Sequence, residues 1–197
     1  MSAKDKSFFL KPRFLKISSC FSLIVFLLAF GACRTPQKTE MRSLVPNNAV
    51  AYLEIEDLAK TAQAVPEDKV QWRALDNGRT VLDLLGEAAQ AAGLGAELAR
   101  SRGESKISPE IFQNWKPERA AWTREIALEK LAGGTRELLA AIEELSDEEL
   151  DRDVTMMMHQ SMTYPLSVWL LLPYRSFISR MAQINYIQTL YGDFDFH

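Results

Sequence analysis

The chain has 197 residues, 47% of them hydrophobic and 25% charged, which fits one globular domain with a tail and excludes both a disulfide miniprotein and a wholly disordered chain. Its formal charge of −3 is uneven: residues 1–44 carry +6 and the rest −9, the wrong sign for a polyanion partner, so nucleic acid is excluded. The two cysteines, Cys20 and Cys33, precede the domain, and its only histidines are His159 and His197, so a thiolate zinc site is excluded there and imidazole chemistry is restricted.

Residues 1–33 read as an address. Lys4, Lys6, Lys11, Arg13 and Lys16 precede an apolar run from Ile17 to Phe30 that is short for a membrane span. Phe30-Gly31-Ala32-Cys33 resembles a bacterial lipobox, with Phe30 in place of the usual aliphatic residue. That resemblance implies a lipidated Cys33 and a protein held at a membrane of the bacterial envelope. Arg34, where an inner-membrane retention signal carries Asp, favours the outer membrane. An ordinary secretory signal, giving a secreted protein, and an uncleaved inner-membrane anchor remain the alternatives. Residues 34–50, polar and carrying Pro36, read as a flexible tether to a domain over 51–197.

Within the domain, Ala49 to Ile55 alternates like a strand but equally opens a helix, and the apolar spacing favours a helix from Glu54 to Val65, ended by Pro66. Asp76-Asn77-Gly78 is a turn, after which Arg79 to Ser101 carries the stripe Val81, Leu84, Leu85, Ala88, Ala92 and Leu98 of a second helix. Ile107 to Pro117 is expected to be a loop. A third helix is expected from Pro117 or Glu118 to Leu145, kinked at Gly133-Gly134. Ser146 to Glu149 is a capping box that opens a short turn. The last helix is predicted from near Pro165 to Tyr191, bent near Trp169 by Pro173 and ended by Gly192 in a left-handed cap. Four helices, short connections and no convincing strands predict an all-α fold, an antiparallel four-helix bundle.

Three stretches give this bundle a likeness. Gln183-Ile184-Asn185-Tyr186-Ile187-Gln188-Thr189-Leu190-Tyr191-Gly192-Asp193 resembles the C-terminal signature of DinB-like proteins. Trp72 to Glu87 resembles the family's tryptophan, turn, Arg-Thr and second-helix segment, and Leu145 to Leu150 its end of helix three. The resemblance spans roughly 52–197. It implies a four-helix bundle, a divalent metal such as zinc or nickel, thiol-transferase or hydrolase chemistry, and pairing of bundles into a homodimer. The family's usual site has one histidine on helix two and two, four apart, on helix four. In that frame Ser176 and Arg180 stand at the helix-four positions, and Glu87 and Gln90 are nearest to the helix-two position. Serine is a weak ligand and guanidinium has no lone pair to donate, so no metal is predicted at this degenerate site.

The residues suggest something else. Ser176, Arg180 and Gln183 share one helix face, as do Asp83, Glu87 and Gln90. A buried guanidinium requires an answering carboxylate, so Glu87 and Arg180 are predicted to form an ion pair, with Arg180 reaching to solvent as the alternative. His159, after the Met156–Met158 run, reads as a loop residue, and terminal His197 as disordered by default. Trp72, Trp115, Trp122 and Trp169 are expected to pack in or around the bundle. The acidic run from Glu143 to Asp153 lacks calcium-loop spacing. The preferred function is non-catalytic: an envelope-anchored protein that binds a small molecule or a protein partner. The rival is a DinB-like metal-dependent transferase or hydrolase with non-standard ligands such as Glu87 and His159.

Overall fold

A computed structural model of the chain describes residues 48–104, 107–157, 160–195 and 197, with side chains described from residue 55 onward. The signal segment, Cys33, nearly all of the tether, and His159 lie outside the described residues.

The first helix, α1, spans Asn48–Ala64, so the backbone of 49–55 is helical and residues 48–50, assigned above to the tether, already belong to it. Ile55, Leu58, Ala62 and Val65 recur at helical spacing and are buried, which decides helix over strand. Pro66 ends the pattern, and a 3-10 turn over Glu67–Lys69 follows. The predicted turn is present: the Gly78 N–H donates to the Leu75 carbonyl at 2.8 Å.

Helix α2, Val81–Arg100, opens with a reciprocal cap. The Asp83 N–H donates to Thr80 Oγ1 at 2.9 Å and the Thr80 N–H to Asp83 Oδ2 at 3.1 Å, satisfying two backbone donors that the helix cannot. Thr80→Ala is expected to lower the unfolding free energy by about 1 kcal/mol, read by chemical denaturation, because it removes one acceptor and frees the other.

The loop expected over Ile107–Pro117 is instead helix α3, Pro109–Arg119. Ser108 and Pro109 supply the start, with proline at the first helical position where its missing N–H costs little. Pro117 therefore does not open a helix but sits in the last turn of α3. The next helix, α4, starts later, at Arg124 behind a Thr123 cap, and ends at Glu143 (Arg124–Glu143). It continues unbroken through Gly133-Gly134.

After α5, Asp147–Asp151, capped by Ser146 and Glu149 as its sequence predicts, the chain forms a hairpin that the all-α expectation lacks. Strand β1, Asp153–Met157, pairs antiparallel with β2, Ser161–Pro165, in the register Val154 to Tyr164 and Met156 to Met162. Val154 and Met156 point into the core while their neighbours face solvent, the period-2 pattern of a half-buried strand. Helix α6, Leu166–Trp169, and helix α7, Leu171–Leu190, are separated at Leu170. The Pro173 ring conflicts with the carbonyl four residues back, that of Trp169, so the break falls where the bend is predicted. At the far end Gly192 takes φ 96°, the Asp193 N–H reaches the Gln188 carbonyl at 3.0 Å and the Gly192 N–H that of Thr189 at 3.2 Å, a Schellman cap.

The four long helices pack α2 against α4 and α7, and α7 against α1. Their directions correct the antiparallel expectation. Gly93 of α2 faces Gly134 and Gly95 faces Leu138, so α2 and α4 run parallel. Glu87 meets Arg180 and Gly95 meets Pro173, so α7 runs opposite to both. Gln188 of α7 bonds the Thr61 carbonyl, and Arg124 bonds the Val65 carbonyl, which places the end of α1 beside the start of α4 and the end of α7. Helix α3 is the return stroke that lets α2 and α4 share a direction.

Candidate functional site

Of the residues at the family's metal-site positions, Glu87 and Arg180 meet, and further guanidinium groups gather around the same carboxylate. Glu87 lies on α2 behind Gly86, which has no side chain because a Cβ there would stand 2.9 Å from Cδ of Arg119. Arg180 of α7 brings Nε to 2.8 Å from Glu87 Oε2. Arg79, before α2, brings Nε to 3.1 Å from Oε1, and Arg119 of α3 brings Nη2 to 3.3 Å from the same oxygen. One turn earlier, Asp83 lies 3.5 Å from Arg73 Nη2 and 3.9 Å from Arg119 Nε. Four guanidinium groups thus meet two carboxylates. The innermost members are well shielded: the side chains of Arg119, Glu87 and Arg180 are 12%, 14% and 21% exposed. The Arg180 contact is short but badly aligned. Neither Arg180 Nε nor Glu87 Oε2 makes a hydrogen bond of good geometry, so the pair is held by charge rather than by a directed bond.

Gln90 is a strut. Its Nε2 donates to the Trp115 carbonyl at 2.9 Å and to Glu118 Oε2 at 3.1 Å, while its Oε1 accepts from Arg119 Nη1 at 3.0 Å. These bonds tie α3 to α2 and occupy the amide. Ser176 stays out of the ion cluster; with Arg175, Ser179 and Arg180 it lines a surface recess of about 220 Å³.

Arg119 and Arg79 were not among the predicted site residues. Arg119 lies 32 residues from Glu87 and on a segment expected to begin a different helix, so no helical spacing relates them. The one local signal is Gly86, a helix-interior glycine that marks a close neighbour.

These side chains do not fit a divalent metal. Arg180 places a fixed positive charge at one ligand position, and Glu87 is shared among three guanidiniums, so a second cation there meets repulsion instead of open lone pairs. Among the described residues no three His, Cys, Asp or Glu side chains converge in metal-binding geometry.

The remaining predicted residues are dispersed. His197 Nε2 sits 3.0 Å from Asp193 Oδ2. The Asp195 N–H and then His197 hold the Asp193 carboxyl below its usual range. Trp72 packs edge-on to Tyr191, Trp115 edge-on to Phe112, and Trp169 donates its indole N–H to the Val154 carbonyl at 2.9 Å. Trp122 lies beneath the Lys130 ammonium, 5.1 Å from its ring centre. Glu149, from the acidic run, is held below the usual carboxylate range by the Ser146 N–H and then by Arg102, so this part of the run is a capped helix start.

No family model and no curated protein matches the chain. Solved structures do. A DinB-like protein from Bacillus subtilis, YjoA, superposes with a TM-score of 0.52 at 15% identity, covering 73% of this chain and 92% of that one. A mycothiol-dependent maleylpyruvate isomerase superposes with a TM-score of 0.54 at 18% identity, and a point mutant of the same enzyme with 0.55 at 17%. Each covers 69% of this chain, which spans 58% of the isomerase. The fold is therefore DinB-like and mostly helical. At these identities the likeness extends to the fold alone.

Proposed function

We propose that the chain is a DinB-like four-helix bundle that binds a small molecule or a protein partner and lacks the metal chemistry of the DinB-like class. On this reading it is tethered at the bacterial envelope through a lipidated Cys33, with the outer membrane favoured. The observation that carries it is the ligation of Glu87 by Arg79, Arg119 and Arg180, in the position where a metal would need that carboxylate free. Among the described residues no helix is long and apolar enough to cross a membrane, so attachment rests on the N-terminal segment.

One preparation of the full chain tests both halves. Elemental analysis is expected to give zinc and nickel far below one equivalent, with chelator leaving the thermal midpoint unchanged. Mass spectrometry of the mature N-terminus is expected to find an acylated cysteine. A full equivalent of either metal, removed by chelator with a fall in midpoint, would establish the rival: a metal-dependent transferase or hydrolase, for which the likeness to a thiol-dependent isomerase supplies the first substrate class to assay.

A further inference from the structure

Toward the C-terminal end of α2 from Glu87, two cavities meet. One is a slot of about 150 Å³ beneath α3 and the hairpin, walled by Leu94, Gly95, Phe112, Trp115, Met156 and Trp169 among others. Its lining is almost wholly apolar. An apolar recess of this size accepts a hydrocarbon of about benzene's size. The second is a groove of about 620 Å³ between α2, α3 and α4, floored by Gly93, Gly133 and Gly134. Leu94 and Trp115 line both, so a ligand can seat one end in each.

The groove has a sign. Glu97, Glu118, Glu129 and Glu137 line it against a single ammonium, Lys130. Arg100 answers Glu137 at 2.8 Å and Glu97 at 3.5 Å. Among the described residues no cation pairs with Glu118 or Glu129. The Trp122 face in the same groove already holds the Lys130 ammonium, so the attraction for an incoming cation rests on Glu118 and Glu129. A carboxylate-headed ligand would meet repulsion there, and a neutral one would gain nothing from the charge of Glu118 and Glu129.

We propose that the slot and the groove form one binding site for a small alkylammonium ion, its hydrocarbon end under Trp115 and Trp169 and its cationic head between Glu118 and Glu129. This names a ligand class for the binding reading above. The slot shares no residue with the Glu87 cluster, and the groove meets that cluster only at its edge, through Gln90 and Glu118, so a metal on Glu87 would leave the hydrocarbon seat and Glu129 in place.

The purified full chain is titrated with hexylammonium, hexanol and hexanoate, read by calorimetry and by thermal midpoint. Hexylammonium is expected to bind about tenfold more tightly than either analogue, a preference that fades as salt rises. Ala91→Leu, which fills the slot from its rim, is expected to weaken hexylammonium about tenfold. The exposed Glu129→Gln leaves the core untouched and reduces only the preference for the cation, so the test does not rest on a core variant that fails to fold. Hexanoate binding as tightly as hexylammonium, no binding of any of the three, or an unchanged preference in Glu129→Gln would overturn the proposal. A metal found at Glu87 would leave it standing.

Discussion

Replacing Glu87 with alanine is expected to lower the stability of the fold by about 3 kcal/mol, the cost of leaving buried charge unanswered. Three guanidiniums lose their nearest carboxylate at once, and their exposures decide the size of the effect. Arg79 is 54% exposed and can swing into water, so its loss is small. Arg119 and Arg180 are shielded and cannot escape without repacking α3 or α7. Asp83 answers Arg119 only at 3.9 Å and does not contact Arg180. For a domain of this size the thermal midpoint should fall by roughly 6–12 °C. Glu87→Gln keeps the shape but not the charge and should fall nearly as far. The control is Arg180→Met, which removes one of three cations and leaves Glu87 paired with the other two, at a cost of about 1 kcal/mol or less. If Glu87→Ala melts with the wild type, the cluster is a solvated surface and its claim on the metal position lapses.

The parts of this fold legible in the sequence are those whose signals are local. α1, α2, α4 and α7 each repeat apolar residues at a spacing that only a helix can gather on one face, and Pro173 and Gly192 act on their own turns. The segment 109–119 failed that test for a physical reason. No residue of α3 is buried, so it has no strong stripe, and its cohesion comes from Gln90 and Arg119 bonding across to α2. The hairpin is equally quiet: two five-residue strands of which only Val154 and Met156 are buried.

The parallel run of α2 and α4 was not legible, because nothing in a helix's own residues states whether its neighbour runs parallel. That choice is made by α3, which returns the chain, and it has chemical consequences. Only because α3 doubles back does Arg119 reach Glu87, and only because it leans on α2 are Trp115 and Phe112 placed over the slot. The approach of Arg180 to Glu87 was accessible, since it follows from two facing rows of helical spacing and from the cost of an unanswered guanidinium. The contributions of Arg79 and Arg119 needed the fold.

Gly133 and Gly134 are adjacent, and their substitutions are expected to have opposite signs. In an isolated helix each glycine lowers stability by about 1 kcal/mol against alanine, the reason to expect a kink there. In the fold, a Cβ on Gly133 would find no atom nearer than Arg136 Nη2 at 4.0 Å, so Gly133→Ala should recover about 1 kcal/mol of helix propensity without a clash. A Cβ on Gly134 would stand 3.1 Å from the backbone nitrogen of Gly93 and 3.3 Å from the Ala92 Cβ. Backbone cannot rotate away, so α2 and α4 must separate along the contact that Gly95 and Leu138 continue. Gly134→Leu is therefore expected to cost about 3 kcal/mol, at the upper end of overpacking. Gly134→Ala sets the propensity gain against the contact and should fall between the two. Chemical denaturation of the three variants measures the order directly. If Gly134→Leu is tolerated as well as Gly133→Ala, the two helices do not approach at this point, and the groove they floor has a different shape from the one lined by Glu118, Trp122 and Glu129.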